Sequence, residues 1–205
     1  MIVIINYGMG NINSIYHKLQ KHTDNIIVTN DKVEIEKANK IILPGVGHFA
    51  KGMENIRSLG LIDILNNKVL RENTPIFGIC LGMQLMTEGS EEGNAKGLGW
   101  IKGNTKLFKF DGINTDLPVP NVGWREINII IKNEKYSKGI RSDDKFYFTH
   151  SYYINCEDKN DISSTSYYGF EFVASIKKNN IIGTQFHPEK SHIRGFDILK
   201  RFAFS

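Results

Sequence analysis

Cysteine is nearly absent from this chain: Cys80 and Cys156 are the only two in 205 residues. They sit in unrelated surroundings, with neither a paired framework nor a metal-ligand spacing, so a disulfide scaffold and a thiolate metal site are set aside. A reducing compartment is the simpler setting. Long apolar runs are missing too. None approaches the roughly 18 residues that a membrane span requires. The apolar stretch Met1–Asn6 is too short for a secretion signal and has no basic segment before it. A cytoplasmic location is expected. An excess of one charge is also lacking: the net charge of +4 comes from lysines scattered among acids. No dense basic run is interleaved with aromatics, so neither a nucleic-acid nor a membrane partner is expected.

What is present is the composition of a globular protein, 40% hydrophobic and 23% charged, in a chain long enough for one sizeable core. No repeat or linker interrupts it, and residues 1–205 are read as a single domain. Short apolar runs at 2–5, 26–28, 40–44 and 75–79 alternate with helical periodicity. Ile12, Ile15, Tyr16 and Leu19 form one amphipathic stripe, and Asp31 is placed to cap the next helix. A third helical stretch runs from Met53 to Leu70 and is broken near Gly60. Strands separated by helices imply an α/β fold, a mostly parallel sheet with helices on both faces. From about Thr105 to Ile154 the pattern turns strand-rich, with runs at 124–131 and 146–149, which suggests a small antiparallel addition. A last strand, 181–186, precedes a C-terminal helix from Ser191.

Three segments carry chemistry. In Gly78-Ile79-Cys80-Leu81-Gly82-Met83-Gln84 a nucleophile type is framed by glycines at minus two and plus two, between a strand and a helix. This is the nucleophile-elbow pattern with cysteine in place of serine. The turn is expected to push the sulfur into the open and set it at a helix N-terminus, whose unpaired amides favour the reactive thiolate. Gly183-Thr184-Gln185-Phe186-His187-Pro188-Glu189 supplies a base and an orienting carboxylate from another strand end, the parts a cysteine nucleophile needs. Leu43-Pro44-Gly45-Val46-Gly47-His48 supplies a loop whose glycines leave backbone amides unobstructed. The amides of Val46 and Leu81 are the candidate oxyanion hole. His48 stands in that loop with no carboxylate two residues away. A thiolate, a base and such a hole suffice for amide hydrolysis, so no cofactor and no metal is expected.

Taken together, and in this order, Pro-Gly-Val-Gly, Gly-Ile-Cys-Leu-Gly-Met-Gln and Gln-Phe-His-Pro-Glu resemble the class I glutamine amidotransferases. More narrowly, the chain resembles the glutaminase subunits of imidazole glycerol phosphate synthase from histidine biosynthesis. That narrower likeness rests on Asn6–Asn11, Gly97–Trp100, Val122–Trp124, Phe148–Tyr152 and His187–Ser191. The resemblance implies a flavodoxin-like fold. It also implies a glutamyl-thioester on Cys80 with His187 and Glu189 as base and orienting carboxylate, and glutamine held by Gly47, Gln84, Glu92 and the backbone around Ser151. Its implied partner is a (β/α)8-barrel synthase subunit in a heterodimer, to which the ammonia passes. Because Gly45 and Gly47 flank Val46, the hole is expected to complete itself only when that partner docks.

In one place the chain departs from the family, which shows Pro-His before Gly-Trp and Asn after it. Here Pro120-Asn121-Val122-Gly123-Trp124-Arg125 stands instead. The triad is untouched, but the family's partner-facing region is altered. A related glutaminase that feeds a surface-sugar amidination synthase is therefore the alternative. A non-glutaminase cysteine hydrolase and a binding module on the same fold are further readings. Neither would be expected to carry all three motifs.

Overall fold

Strand β1 (Ile2–Ile5) is buried along its whole length, as expected of a parallel strand covered on both faces. The computed structural model describes residues 1–113, 115–131 and 136–204. In its first half, strands β1, β2 (Ile26–Thr29), β3 (Lys40–Leu43) and β4 (Ile76–Ile79) alternate with helices α1 (Ile12–Gln20), α2 (Lys32–Glu36), α3 (Phe49–Ser58) and α4 (Ile62–Asn66). Asp31 caps α2, its side chain accepting from the Val33 amide at 2.8 Å. The expected Met53–Leu70 helix starts earlier, at Phe49. It splits at Gly60, whose φ of 63° ends the first piece.

A one-turn helix α5 (Leu81–Gln84) follows β4. Then come β5 (Thr87–Ser90), β6 (Ala95–Lys96), β7 (Ile101–Leu107), β8 (Asn121–Glu126), β9 (Asn128–Ile129), β10 (Lys145–His150) and β11 (Tyr152–Cys156). Strands β12 (Ile162–Tyr168), β13 (Phe170–Lys178) and β14 (Ile181–Thr184) and helix α6 (His192–Ala203) complete the order. In the strand-rich stretch from Thr105 to Ile154, positions 114 and 132–135 lie outside the described residues.

The main sheet runs β2-β1-β3-β4-β14-β13-β12-β9. It is parallel from β2 through β14 and antiparallel beyond, so it is mostly parallel. Two smaller sheets, β10-β8 and β11-β7-β5-β6, lie beside it. Alternate residues of the parallel strands feed two cores. Val3, Ile5, Ile41 and Leu43 pack with Ile35, Phe49, Met53 and Leu65 of α2, α3 and α4. Ile2, Ile4, Ile42 and Phe77 pack with Ile15 and Leu19 of α1 and Ile198 and Phe202 of α6. Helices thus cover both faces. Strands β3, β4 and β14 lie side by side and parallel, so their carboxyl ends collect Gly45, Cys80 and His187 at one sheet edge, where open α/β sheets bind ligands. Among the described residues no helix is long and apolar enough to cross a membrane.

Candidate active site

Cys80 is the single residue between β4 and α5 and takes φ 52°, ψ −111°. Such a conformation costs a non-glycine residue of order 1–3 kcal/mol and persists only where its surroundings enforce it. Here the Cys80 amide donates to the Thr184 carbonyl at 2.8 Å, and the Cys80 carbonyl accepts from Met83 and Gln84 at 3.0 and 3.1 Å. The framing glycines are required by close approach. A Cβ on Gly82 would lie 1.8 Å from the Leu43 carbonyl oxygen, and one on Gly78 would lie 2.8 Å from the backbone of Met83.

Two expectations change at this turn. The sulfur is not pushed into the open: Cys80 is only 5% exposed. It is covered by β10, where Sγ faces the Thr149 carbonyl at 3.9 Å, and by Gln185, whose Nε2 donates to Sγ at 3.6 Å. In addition, α5 is four residues long. No macrodipole of consequence builds up in one turn, which leaves the free amides of its first residues as the local positive end.

Strand β14 stops at Thr184, two residues before the expected end. The Thr184 hydroxyl donates to the Phe186 carbonyl at 3.0 Å and turns the chain. His187 is then pinned to β10 by its amide, which donates to the Tyr147 carbonyl at 2.9 Å, and by the Ser191 hydroxyl, which donates to its carbonyl at 2.6 Å. Pro188 follows, and His187 is extended, φ −95° and ψ 97°. Its Nδ1 meets Glu189 Oε1 at 2.8 Å, and both side chains are buried. Nε2, the other ring nitrogen, is buried and has no hydrogen-bond partner among the described residues within ordinary geometry. Burial alone would drive the imidazole toward neutrality. Negative charge on Cys80 and the contacts to Cys80 and Glu189 outweigh it and raise the His187 pKa, as in a thiolate–imidazolium pair. The Lys18 ammonium donates to the Glu189 carbonyl and ties this turn to α1.

The loop after β3 rests on the start of α5. A Cβ on Gly45 would fall 2.7 Å from the Gly82 nitrogen and 2.8 Å from Leu81 Cβ. Val46 and Leu81, the candidate oxyanion donors, therefore sit on adjoining segments beside Cys80. Leu81 opens a helix, so its amide has no intrahelical acceptor. The Tyr7 hydroxyl donates to the Pro44 carbonyl at 2.6 Å and steadies the loop from below. Burial, and then charge on Cys80, raise the Tyr7 pKa, so it stays a neutral donor.

Of the expected glutamine contacts, Gly47 takes φ 111° at the loop's exposed end. Gln84 is buried, with Nε2 donating to the Tyr152 carbonyl at 2.8 Å and to Gln185 Oε1 at 3.0 Å. Glu92 Oε2 accepts from the Phe49 amide at 2.6 Å, which brings the carboxylate to the start of α3. Ser151 lies between β10 and β11, its carbonyl accepting from the Phe108 amide at 2.9 Å. His48, the other histidine considered, is exposed at the N-cap of α3. Cys156 is half-buried, and burial followed by the charge of Asp161 pushes its thiol up to about 11. It is a thiol at neutral pH.

Sequence reasoning missed Gln185 and His150 and took Asn121 only as a partner-facing change; all three are buried. The one available signal was a glutamine at the end of the apolar run 181–186. His150 is fixed between the Tyr152 carbonyl at 2.7 Å from Nδ1 and the Asn121 amide at 3.0 Å from Nε2. Burial pushes its pKa down to about 3, whereas an unfolded histidine titrates near ~6.5. Between those values the unfolded chain holds a proton that the folded chain refuses. This contribution to stability is therefore complete above pH ~6.5 and shrinks as pH falls. Urea unfolding at pH 7.5 and pH 5 should show a larger loss for the wild-type chain than for His150→Gln.

The model of the glutamine amidotransferase class-I family matches residues 3–204. The fold agrees: the crystal structure of a glutamine amidotransferase superposes with a TM-score of 0.73 at 14% identity, covering 99% of this chain and 100% of that one. Curated relatives are closer. The chain is 50% identical over 202 residues to imidazole glycerol phosphate synthase subunit HisH 2 of Methanococcus maripaludis, covering 98% of each. It is 43% identical over 205 residues to subunit HisH 1 of Campylobacter jejuni subsp. jejuni, covering 99% of each. The chain belongs to the class I glutamine amidotransferases and, within them, to the family of HisH subunits.

Proposed function

We propose that this chain is the glutaminase subunit of an imidazole glycerol phosphate synthase, with Cys80, His187 and Glu189 as its catalytic triad. The observation that carries this reading is the convergence of a strained, buried cysteine with a histidine whose Nδ1 is bound to a carboxylate and whose Nε2 has no hydrogen-bond partner among the described residues. Cys80 Sγ attacks the side-chain amide carbon of glutamine, and the amides of Val46 and Leu81 receive the negative oxygen. The His187 imidazolium then gives its Nε2 proton to the amide nitrogen, and ammonia leaves a glutamyl-thioester. Neutral His187 next takes a proton from water, whose oxygen attacks the thioester and frees glutamate. Glu189 keeps the proton on Nδ1 throughout, so Nε2 always faces the chemistry. Gly47, Gln84, Glu92 and the backbone at Ser151 hold the substrate. Gln84 Oε1 and Glu92 suit its ammonium, since both Nε2 bonds of Gln84 are already directed at Tyr152 and Gln185.

The ammonia passes to a (β/α)8-barrel synthase subunit docked beside β8. The outer face of this strand presents Val122 and Trp124, 51% and 40% exposed, an aromatic and aliphatic pair of the kind interfaces bury. Residues 1–205 act as one domain, a reading supported by β14 lying directly beside β4 in the main sheet. The deciding experiment measures ammonia release from glutamine by the chain alone and with the histidine-pathway synthase subunit from the same source. Hydrolysis stimulated at least ~10-fold by that subunit is expected, because an oxyanion hole completed on docking supplies a transition-state donor worth that much or more. Stimulation only by a surface-sugar amidination synthase would transfer the chain to that acceptor. Full turnover by the lone chain would overturn partner control.

A further inference from the structure

Six residues between the surface and Cys80 form an unbroken chain of hydrogen bonds. Arg125 Nε donates to Asn121 Oδ1 at 2.5 Å, and Asn121 Nδ2 reaches His150 Nε2 at 3.0 Å. His150 Nδ1 lies 2.7 Å from the Tyr152 carbonyl, which also accepts from Gln84 Nε2 at 2.8 Å. Gln84 Nε2 continues to Gln185 Oε1 at 3.0 Å, and Gln185 Nε2 donates to Cys80 Sγ at 3.6 Å. Asn121, His150, Gln84 and Gln185 are all buried. They come from β8, β10, α5 and the turn after β14.

The directions agree at every link. A carbonyl can only accept, so His150 carries its proton on Nδ1. Its depressed pKa leaves it neutral, and Nε2 accepts from the Asn121 amide. That fixes Asn121 Oδ1 toward the Arg125 donor. The guanidinium is held there by the Tyr168 ring, 4.2 Å from its central carbon. Likewise Tyr152 orients the Gln84 amide, Gln84 orients the Gln185 amide, and Gln185 presents N–H to the sulfur. Asn121 and Arg125 are four residues apart on one face of β8. They are also the two positions at which the chain departs from the family pattern.

We propose that Gln185 is a further active-site residue, the donor that holds the Cys80 sulfur, and that Arg125 is a positioning residue acting on it through Asn121, His150 and Gln84. This rests on the reading of Cys80 as the nucleophile. A donor aimed at the sulfur stabilises its anionic form over the thiol and fixes its direction of attack. Every other link serves to keep the Gln185 amide from flipping and presenting its oxygen. A buried polar cluster also specifies a fold, so the test needs a readout that packing alone would not move.

The full-length chain is alkylated with iodoacetamide across pH 6–10, and modification of Cys80 and of Cys156 is followed separately by peptide mass spectrometry. In Gln185→Met, Cys80 should react about tenfold more slowly at neutral pH, with its profile displaced to higher pH, as loss of one hydrogen bond to a charged group predicts. Arg125→Leu, at the half-exposed end, should displace the profile the same way by ~2–3-fold in rate, as a loosened orientation rather than a lost donor. Gln185→Glu keeps the side-chain size and sets oxygens against the sulfur, so it should slow alkylation at least as much as Gln185→Met. Thermal unfolding identifies any variant that fails to fold. A profile in Gln185→Met and Gln185→Glu identical to wild type would overturn the donor role. An unchanged profile in Arg125→Leu would overturn the positioning role. Wild-type Cys80 reacting no faster than Cys156 would remove the nucleophile reading itself.

Discussion

Cys80→Ala should lose glutamine hydrolysis by about 10⁴-fold or more, since without the nucleophile only the oxyanion donors and substrate binding remain. Its fold should survive, because alanine and cysteine meet the same backbone constraint at φ 52°. Cys80→Gly should be equally inactive yet more stable than Cys80→Ala by roughly 1 kcal/mol, because glycine enters the positive-φ region without strain. That ordering reports the backbone strain of the turn. At an ordinary φ the step from alanine to glycine destabilises, whereas at a positive φ it releases strain. His187→Ala and the double variant with Cys80→Ala should each match the single Cys80 loss, since triad members act as a unit. Ammonia release and thermal unfolding on the same preparations check all of this. Additive losses would show that Cys80 and His187 do not act as one device.

The parallel half of the sheet was legible because its strands are short apolar runs divided by helical stripes. Ile2–Ile5, Ile41–Leu43 and Ile76–Ile79 are buried, and their hydrophobicity announces it. Strand β12 was not legible. Its Ser163-Ser164-Thr165-Ser166 core reads as a polar loop, yet all four residues are buried. Three of the hydroxyls find partners on neighbouring segments: Ser164 Oγ lies 2.5 Å from Ser175 Oγ, Thr165 donates to the Glu171 carboxylate at 2.6 Å, and Ser166 donates to the Glu126 carbonyl at 2.7 Å. Only a fold that supplies such partners can bury a polar strand, and pairing with β13 and β9 is invisible in a one-dimensional pattern.

The same limit applies to the site. Cys80, His187 and Glu189 could be named because each sits in a short motif whose residue types and spacing imply a role. Gln185 lies inside one of those motifs, but its role depends on Gln84, 101 positions away, and on Tyr152. Asn121 and Arg125 looked like partner-docking changes only. Their inward side of β8 meets His150 instead, because β8 pairs with β10 so that Asn121 stands opposite His150. The burial of Cys80 is invisible in its motif for a related reason: the elbow predicts a turn, but the cover over its sulfur comes from β10 and Gln185.

Gly82→Ala should be the most damaging substitution outside the triad. The added Cβ would lie 1.8 Å from the Leu43 carbonyl oxygen, a backbone atom of β3, and no side-chain rotation relieves it. Either α5 lifts from the sheet or β3 shifts, and overpacking of this kind costs about 3 kcal/mol or more. The displaced β3 would also carry Pro44–Gly47 away from Leu81, so the folded fraction should turn over more slowly as well as unfold more easily. Gly52→Ala provides the contrast. Its Cβ would meet the Leu85 methyl groups at 3.3 Å and Leu81 Cδ2 at 3.5 Å, all ends of flexible side chains, inside helix α3. There the gain in helix propensity offsets the tight contact, and stability should stay within about 1 kcal/mol of wild type. Urea unfolding of both variants, with kcat and KM measured in the presence of the synthase subunit, makes the comparison. A Gly82→Ala chain with wild-type stability would mean that the elbow does not press against β3 as the structure has it, and the adjacency of the two candidate oxyanion donors would fall with it.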